Sequence, residues 1–204
     1  MKYATLKESQ VTNMMKEKNI NTIEELSLEN VSEVFKVDIL YHERKSNCLY
    51  DEDYAVIYLD SRLPYYEQRL MFFHELAHVI SHEGSQNKLE KEFIDLQEAQ
   101  ANRLALYLSM PRYLFEPLAM KYQSVEKLHD LFELPQNAII ERMASIKREQ
   151  ERTEFHLKLQ TIENQRTRKS LQPGQIYSST KSILHQLKDQ VGEEKLSYDV
   201  KRLL

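Results

Sequence analysis

An α+β fold, mainly helical with a small sheet of about three strands and a helical C-terminal extension, follows from three observations. Only 3 Gly and 5 Pro occur in 204 residues, while Glu, Lys, Leu and Gln abound, and a chain poor in turn formers and rich in helix formers is predominantly helical. Between residues 37 and 60, by contrast, short stretches rich in Val, Ile, Leu and Tyr read as strands. Beyond Lys147 the sequence becomes strongly polar, KREQERTEFHLKLQTIENQRTRK, which divides the chain into a compact domain, 1–147, and an extension, 148–204.

In order along the chain, residues 4–18 read as a polar amphipathic helix. Thr22-Ile23-Glu24-Glu25 places a capping threonine three residues before a glutamate, so a second helix starts near it. Strands follow at 37–42, 46–50 and 54–60, with Asp51-Glu52-Asp53 as a hairpin turn. The third, Ala55 to Leu59, is the most apolar and therefore the most buried. The next helix, 66–81, is apolar almost all round through Leu70, Met71, Phe72, Phe73, Leu76, Ala77, Val79 and Ile80, so it must be buried, with Gly84 as its stop. A further helix, 89–109, ends at Pro111, and its Ala99, Ala101 and Ala105 permit close packing. Ser124 caps a short helix to Leu131, and Pro135 opens another carrying Ile139, Ile140, Met143 and Ile146; together they have a helix-turn-helix outline. Phe155, Leu159 and Ile162 recur at helical spacing in the extension, as a partner-packed or self-packed face, until Gln172-Pro173-Gly174 breaks it.

Composition narrows the functional classes. A net charge of −4 gives no bulk excess of cations for nucleic acid. The basic residues of the 124–147 outline, Arg142, Lys147 and Arg148, are offset by Glu126, Asp130 and Glu141, so core packing is favoured over DNA reading. One cysteine, Cys48, rules out an internal disulfide and a Cys-based metal site, and reads as a small core residue. With no apolar leader or spanning run, the expectation is a soluble, cytoplasmic protein.

The chemistry lies in His74-Glu75-Leu76-Ala77-His78. Histidines four apart stand one above the other on a helix face, where both imidazoles reach one ion, and the intervening glutamate can take a proton from bound water. With 7 His and 24 Glu in the chain, chance yields the HExxH motif about 0.03 times per sequence of this composition, so context has to decide. Two imidazoles on so apolar a helix would cost several kcal/mol without partners; zinc removes that cost, with manganese as a second option. A catalytic zinc site takes three protein ligands and leaves one position open. The extended motif with a third histidine is absent, because position 84 is Gly. Glu98, twenty residues after His78 and on one stripe with Ala101, Ala105 and Leu108, is the candidate third ligand; the alternative is a solvated surface acid. Asn102, one turn later, is a candidate to orient a ligand histidine. Residues weighed and not promoted are His82, at the helix end, and Tyr107 and Tyr113 as oxyanion donors.

FFHELAHVISH followed by EAQANRLALYLSMP resembles the ImmA/IrrE family of bacterial and phage metallopeptidases, in which the HExxH helix is followed by a segment of the form ExEANxFAxxLLMP. Glu98, Asn102, Ala105, Leu108, Met110 and Pro111 match; Gln100, Leu104 and Ser109 depart from it without removing a ligand. The resemblance spans about residues 20–147. It implies a zincin-like fold, with Glu98 as third ligand and Glu75 as general base, in a protease that cleaves a helix-turn-helix repressor and derepresses a prophage or mobile element. The rival readings are a regulatory module that holds metal structurally and contacts a repressor without cleaving it, and a DNA-binding regulator.

Overall fold

The computed structural model describes residues 4–51, 54–81, 91–170 and 176–204. Two compact units, Met1–Gln150 and Glu151–Leu204, divide the chain. In the first, helix α1 (Leu6–Glu17) is capped by the Thr5 hydroxyl, which accepts from the Glu8 N–H at 3.1 Å. The Thr22/Glu25 capping pair forms reciprocally: Glu25 N–H donates to Thr22 Oγ1, and the Glu25 carboxylate accepts from the Asn21 and Thr22 amides at 2.6 and 2.9 Å. It starts only a 3₁₀ turn, Glu24–Leu26, after which Ser27 caps a separate helix α2 (Leu28–Phe35). Lys36, at φ 56°, ends α2 in the left-handed conformation and turns the chain directly into β1.

The sheet has three strands, β1 (Val37–His42), β2 (Asn47–Tyr50) and β3 (Ala55–Asp60), in the order β1-β3-β2. β1 runs parallel to β3, with Val37 opposite Ala55, and β2 runs antiparallel to it, with Cys48 opposite Ile57. The central strand is therefore the most apolar of the three, and Ile57 and Leu59 are fully buried. β2 is an edge strand. Asp51 N–H donates to Tyr54 O at 2.9 Å across its turn; Glu52 and Asp53 lie outside the described residues.

The turn between β3 and the next helix is fixed by Asp60, whose carboxylate accepts from the Arg62 amide at 3.0 Å and from its guanidinium at 2.8 and 2.7 Å. Those Arg62 hydrogen bonds hold the Asp60 carboxyl down at about 2. Helix α3 (Tyr65–Ser81) then crosses the core. Arg69, buried, fastens it by donating to Phe132 O at 3.0 Å and Leu26 O at 2.8 Å. Helix α4 (Lys91–Ser109) packs against α3 more extensively than any other pair of elements does. Ala77 on α3 and Ala101 and Ala105 on α4 are buried small residues, the kind that lets helix backbones approach.

Helices α5 (Arg112–Tyr122) and α6 (Val125–Phe132) complete the shell, and Ser124 caps α6 as its sequence predicts, accepting from Lys127 N–H at 3.3 Å. Helix α7 is one continuous element, Gln136–Ser170, where the change in polarity at Lys147 predicts two. No Gly or Pro interrupts that span, so a change of environment does not break the backbone pattern. Arg142 is fully buried, donating from Nε to Met110 O at 3.1 Å and from Nη2 to Glu8; it is a core residue and not part of a recognition face. The second unit holds the end of α7, α8 (Ser178–Val191) and α9 (Tyr198–Lys201). Among the described residues no helix is long and apolar enough to cross a membrane.

Candidate metal centre

The HExxH segment occupies the middle of α3, so the helical period brings His74 and His78 to one face, and α4 brings Glu98 to the same point. His74 Nε2 and His78 Nε2 are 3.2 Å apart. Glu98 Oε2 lies 3.3 Å from His74 Nε2, and Glu98 Oε1 lies 3.4 Å from His78 Nε2. The two imidazoles are buried, whereas the Glu98 side chain is 39% exposed. His82 and Gly84 lie outside the described residues.

The spacing carries chemical information. Two imidazole nitrogens and a carboxylate converge with no Lys or Arg paired to Glu98 or Glu75 among the described residues, and His74 Nδ1 is buried without a hydrogen-bond partner. An arrangement left this way forfeits about 1–3 kcal/mol per unsatisfied group. A cation shared by the two Nε2 atoms and Glu98 would supply the missing counter-charge, while His74 Nδ1, on the other edge of its ring, still needs a hydrogen-bond partner of its own. Ligand bonds of about 2.0–2.1 Å at tetrahedral angles place neighbouring ligand atoms about 3.3 Å apart, and the three observed separations bracket that value. His74, His78 and Glu98 are thus a candidate metal site whose donor set fits zinc.

Glu75, next to His74 on α3, lines the same cleft as His74 and Glu98. Burial pushes its carboxyl above the ordinary range, which suits a group that must both accept and return a proton. Cys48, half-buried on β2, lies near Glu75, and burial together with the Glu75 charge pushes its thiol up. Sequence reading assigns Cys48 to packing alone. The signal present is the strand alternation that turns Cys48 and Tyr50 inward and Asn47 and Leu49 outward, but only the pairing of β2 beside α3 shows what it meets.

Asn102 is not brought to the imidazoles. It is exposed, and it does not hydrogen-bond to the buried His74 Nδ1, which has no partner. The reason is helical phase: relative to Glu98, the buried residues Ala101, Ala105 and Leu108 all lie to one side of the helix, whereas Asn102, four residues on, falls about 40° to the other. Tyr107 donates to Glu149 Oε1 at 3.0 Å and Tyr113 to Ile20 O, so neither faces the centre.

The centre opens on a cleft of about 700 Å³, bounded on one side by His74, Glu75, Glu98 and Met71 and on the other by the β1–β2 loop and the outward residues Asn47 and Leu49 of the edge strand.

The chain is 24% identical over 130 residues to the uncharacterized protein YqaB of Bacillus subtilis (strain 168), a match covering 62% of this chain and 76% of YqaB. It is 35% identical over 65 residues to the phage-like element PBSX protein XkdA of the same organism, covering 32% of each. Among solved structures, a Mycobacterium tuberculosis transcriptional regulator superposes at a TM-score of 0.48 with 14% identity, covering 70% of this chain and 48% of that one. The IrrE N-terminal-like domain, Peptidase_M78, matches residues 15–144, well over half of the sequence, and the chain belongs to that family.

Proposed function

We propose that this protein is a zinc-dependent endopeptidase in which His74, His78 and Glu98 hold the metal and Glu75 is the general base. The observation that carries the reading is the convergence of three ligand atoms at 3.2–3.4 Å beside a buried carboxylate in an open cleft. Zinc held there would supply Lewis-acid polarisation of a carbonyl and bring the pKa of a bound water to about 7. Glu75 takes the proton of the attacking water and returns it to the leaving amine, for which its raised carboxyl is suited. The free edge of β2, running along the cleft, can take a substrate in extended form by backbone pairing.

The physiological substrate we propose is a helix-turn-helix repressor, cleaved in the cytoplasm to release a prophage or mobile element. Supporting it are the family and the similarity to XkdA, a protein of a phage-like element. Manganese is the alternative metal. We assign catalysis to residues 1–147 and partner contact to 148–204, where Phe155, Leu159 and Ile162 are exposed.

The test pairs metal analysis with cleavage of the repressor encoded beside this gene. Wild type is expected to hold about one zinc, Glu98→Ala to lose it, and Glu75→Gln to keep it while cleavage falls by about 10²–10⁴-fold. Full inactivation of the repressor by Glu75→Gln would instead mean that regulation proceeds without proteolysis.

A further inference from the structure

The mouth of the cleft carries a charge pattern that the chemistry at its floor does not require. Among the described residues of its lining only Arg44 and Lys45 bring permanent positive charge, and the only acids are Glu75 and Glu98, both assigned above to the metal centre. The chain as a whole is negative, at −4, whereas the loop at the mouth of this cleft contributes two cations to the lining and no acid among the described residues. Glu43, the acid of the same loop, is not part of the lining and bears on Arg62 instead.

The loop that presents these cations is anchored at both ends. Arg44 N–H donates to His42 Nδ1 at 3.1 Å, His42 Nε2 lies 3.4 Å from Asn47 Oδ1, and the His42 ring stacks on Tyr58 at 5.5 Å. Ser46, buried, accepts from Asp60 N–H at 3.0 Å, and His42 O accepts from Ser61 N–H at 2.9 Å. The Arg44 and Lys45 side chains are exposed and make no ion pair among the described residues. Lys45 is near enough to act electrostatically on Glu75. Ser46 and Asn47 separate it from Cys48, near the general base, a reach of at most about 10 Å for three residue steps.

From this arrangement we infer that the cleft selects extended peptides bearing an acidic side chain two or three residues from the scissile bond, with Arg44 and Lys45 as the specificity-determining residues. The inference rests on the proposed peptidase reading for the term "scissile bond", but the recognition itself is a binding property. Neutral and basic peptides meet an unpaired cationic rim. Acidic ones complete it, with a strength that salt screens.

Binding is therefore measured on zinc-loaded Glu75→Gln protein, using fluorescein-labelled Ala- and Leu-rich peptides in which one position at a time is Asp, Asn or Lys. The Asp peptides are expected to bind about tenfold more tightly than the Asn ones at the preferred position, from two exposed charge contacts of ordinary strength. That preference should shrink as salt is raised, and Arg44→Glu/Lys45→Glu should reverse it toward Lys while keeping its zinc. Reversal of Lys121 and Lys127, outside the cleft lining, controls for net charge and should leave the preference in place. Equal binding of the three series, no binding of any, or a preference that survives the Arg44/Lys45 reversal overturns the inference. Should wild type cleave none of the peptides while Glu75→Gln protein still prefers the acidic ones, the peptidase reading falls and the recognition stands; cleavage without acidic preference is the opposite result.

Discussion

Two polar clusters are buried in the same domain, and they are built on opposite principles. At the metal centre, two imidazoles and two carboxylates gather with no Lys or Arg paired to the carboxylates among the described residues. Elsewhere in the domain, Glu8 of α1, Arg112 and Glu116 of α5, and Arg142 and Glu149 of α7 form a network in which both cations have carboxylate partners. Arg112 Nη1 lies 3.2 Å from Glu8 and 3.1 Å from Glu149, Arg142 pairs with the other Glu8 oxygen, and Tyr107 and Ser145 donate to Glu149 at 3.0 and 3.2 Å. The second cluster carries its own counter-charges, although Arg112 Nη2 and Arg142 Nη1 are buried without a hydrogen-bond partner, and it ties the two ends of the domain sequence together. The first is electrostatically incomplete and faces a cleft. Buried polarity alone does not mark a reactive site; buried polarity that lacks its counter-charge does.

The sharpest way to break this comparison is to remove one charge from each cluster. Arg142→Ala takes a partner from a closed network, and loss of one member of a buried pair costs about 3–5 kcal/mol because the survivor is stranded. Its urea midpoint should fall accordingly, with one zinc still bound per folded molecule. Glu98→Ala, measured in chelator, should change stability by about 0.5 kcal/mol or less, because no cationic side chain is left behind. Comparable losses from both variants would mean that the two clusters are alike.

Metal is the complementary lever. For zinc at about a thousand times its dissociation constant, linkage stabilises the folded state by about 4 kcal/mol. Wild type should therefore melt at a lower temperature in chelator, and Glu98→Ala should melt at the same temperature with and without it. A chelator effect undiminished in Glu98→Ala would place the ion elsewhere.

What the sequence discloses follows the range of the physics. The strands, the apolar α3 and the HExxH face are local periodicities, and all three appear where residues 37–60 and 65–81 predict them. Glu98 was readable because a helix stripe carries it. Features set by distant packing were not. Glu8 meets Arg112 and Arg142 across 104 and 134 residues of sequence, and no spacing rule connects them. Sequence reading favours core packing for the helix that carries Arg142, but it does not identify the partners that Arg142 finds there. Asn102 shows the reverse error, since a one-turn spacing from Glu98 suggested a shared face but 40° of helical phase carried it into solvent.

The finest distinction lies within the closed network, between two of its carboxyls. Burial works against the charge of Glu8, yet Arg142, the neighbouring Glu149 carboxyl and Arg112 together hold its carboxyl below the ordinary range. Burial, the hydrogen bond to Glu8 and the Glu8 charge raise that of Glu149. The signs are opposite. Glu8 contributes stability that is present above its unfolded pKa, about 4.3, and is lost as pH falls through its lower folded value. Glu149 contributes stability that is present below that unfolded pKa and is lost as pH rises through its higher folded value. Glu149→Gln keeps a donor for Glu8 and has no proton to lose, so it should match wild type in acid and gain on it above the raised pKa, by about 1 kcal/mol. Glu8→Gln should cost most at neutral pH and progressively less as pH falls. Urea midpoints of the two variants across this range should therefore diverge from wild type with opposite pH slopes; parallel slopes would mean that the proton does not sit on Glu149, and that the two carboxyls share the cations equally.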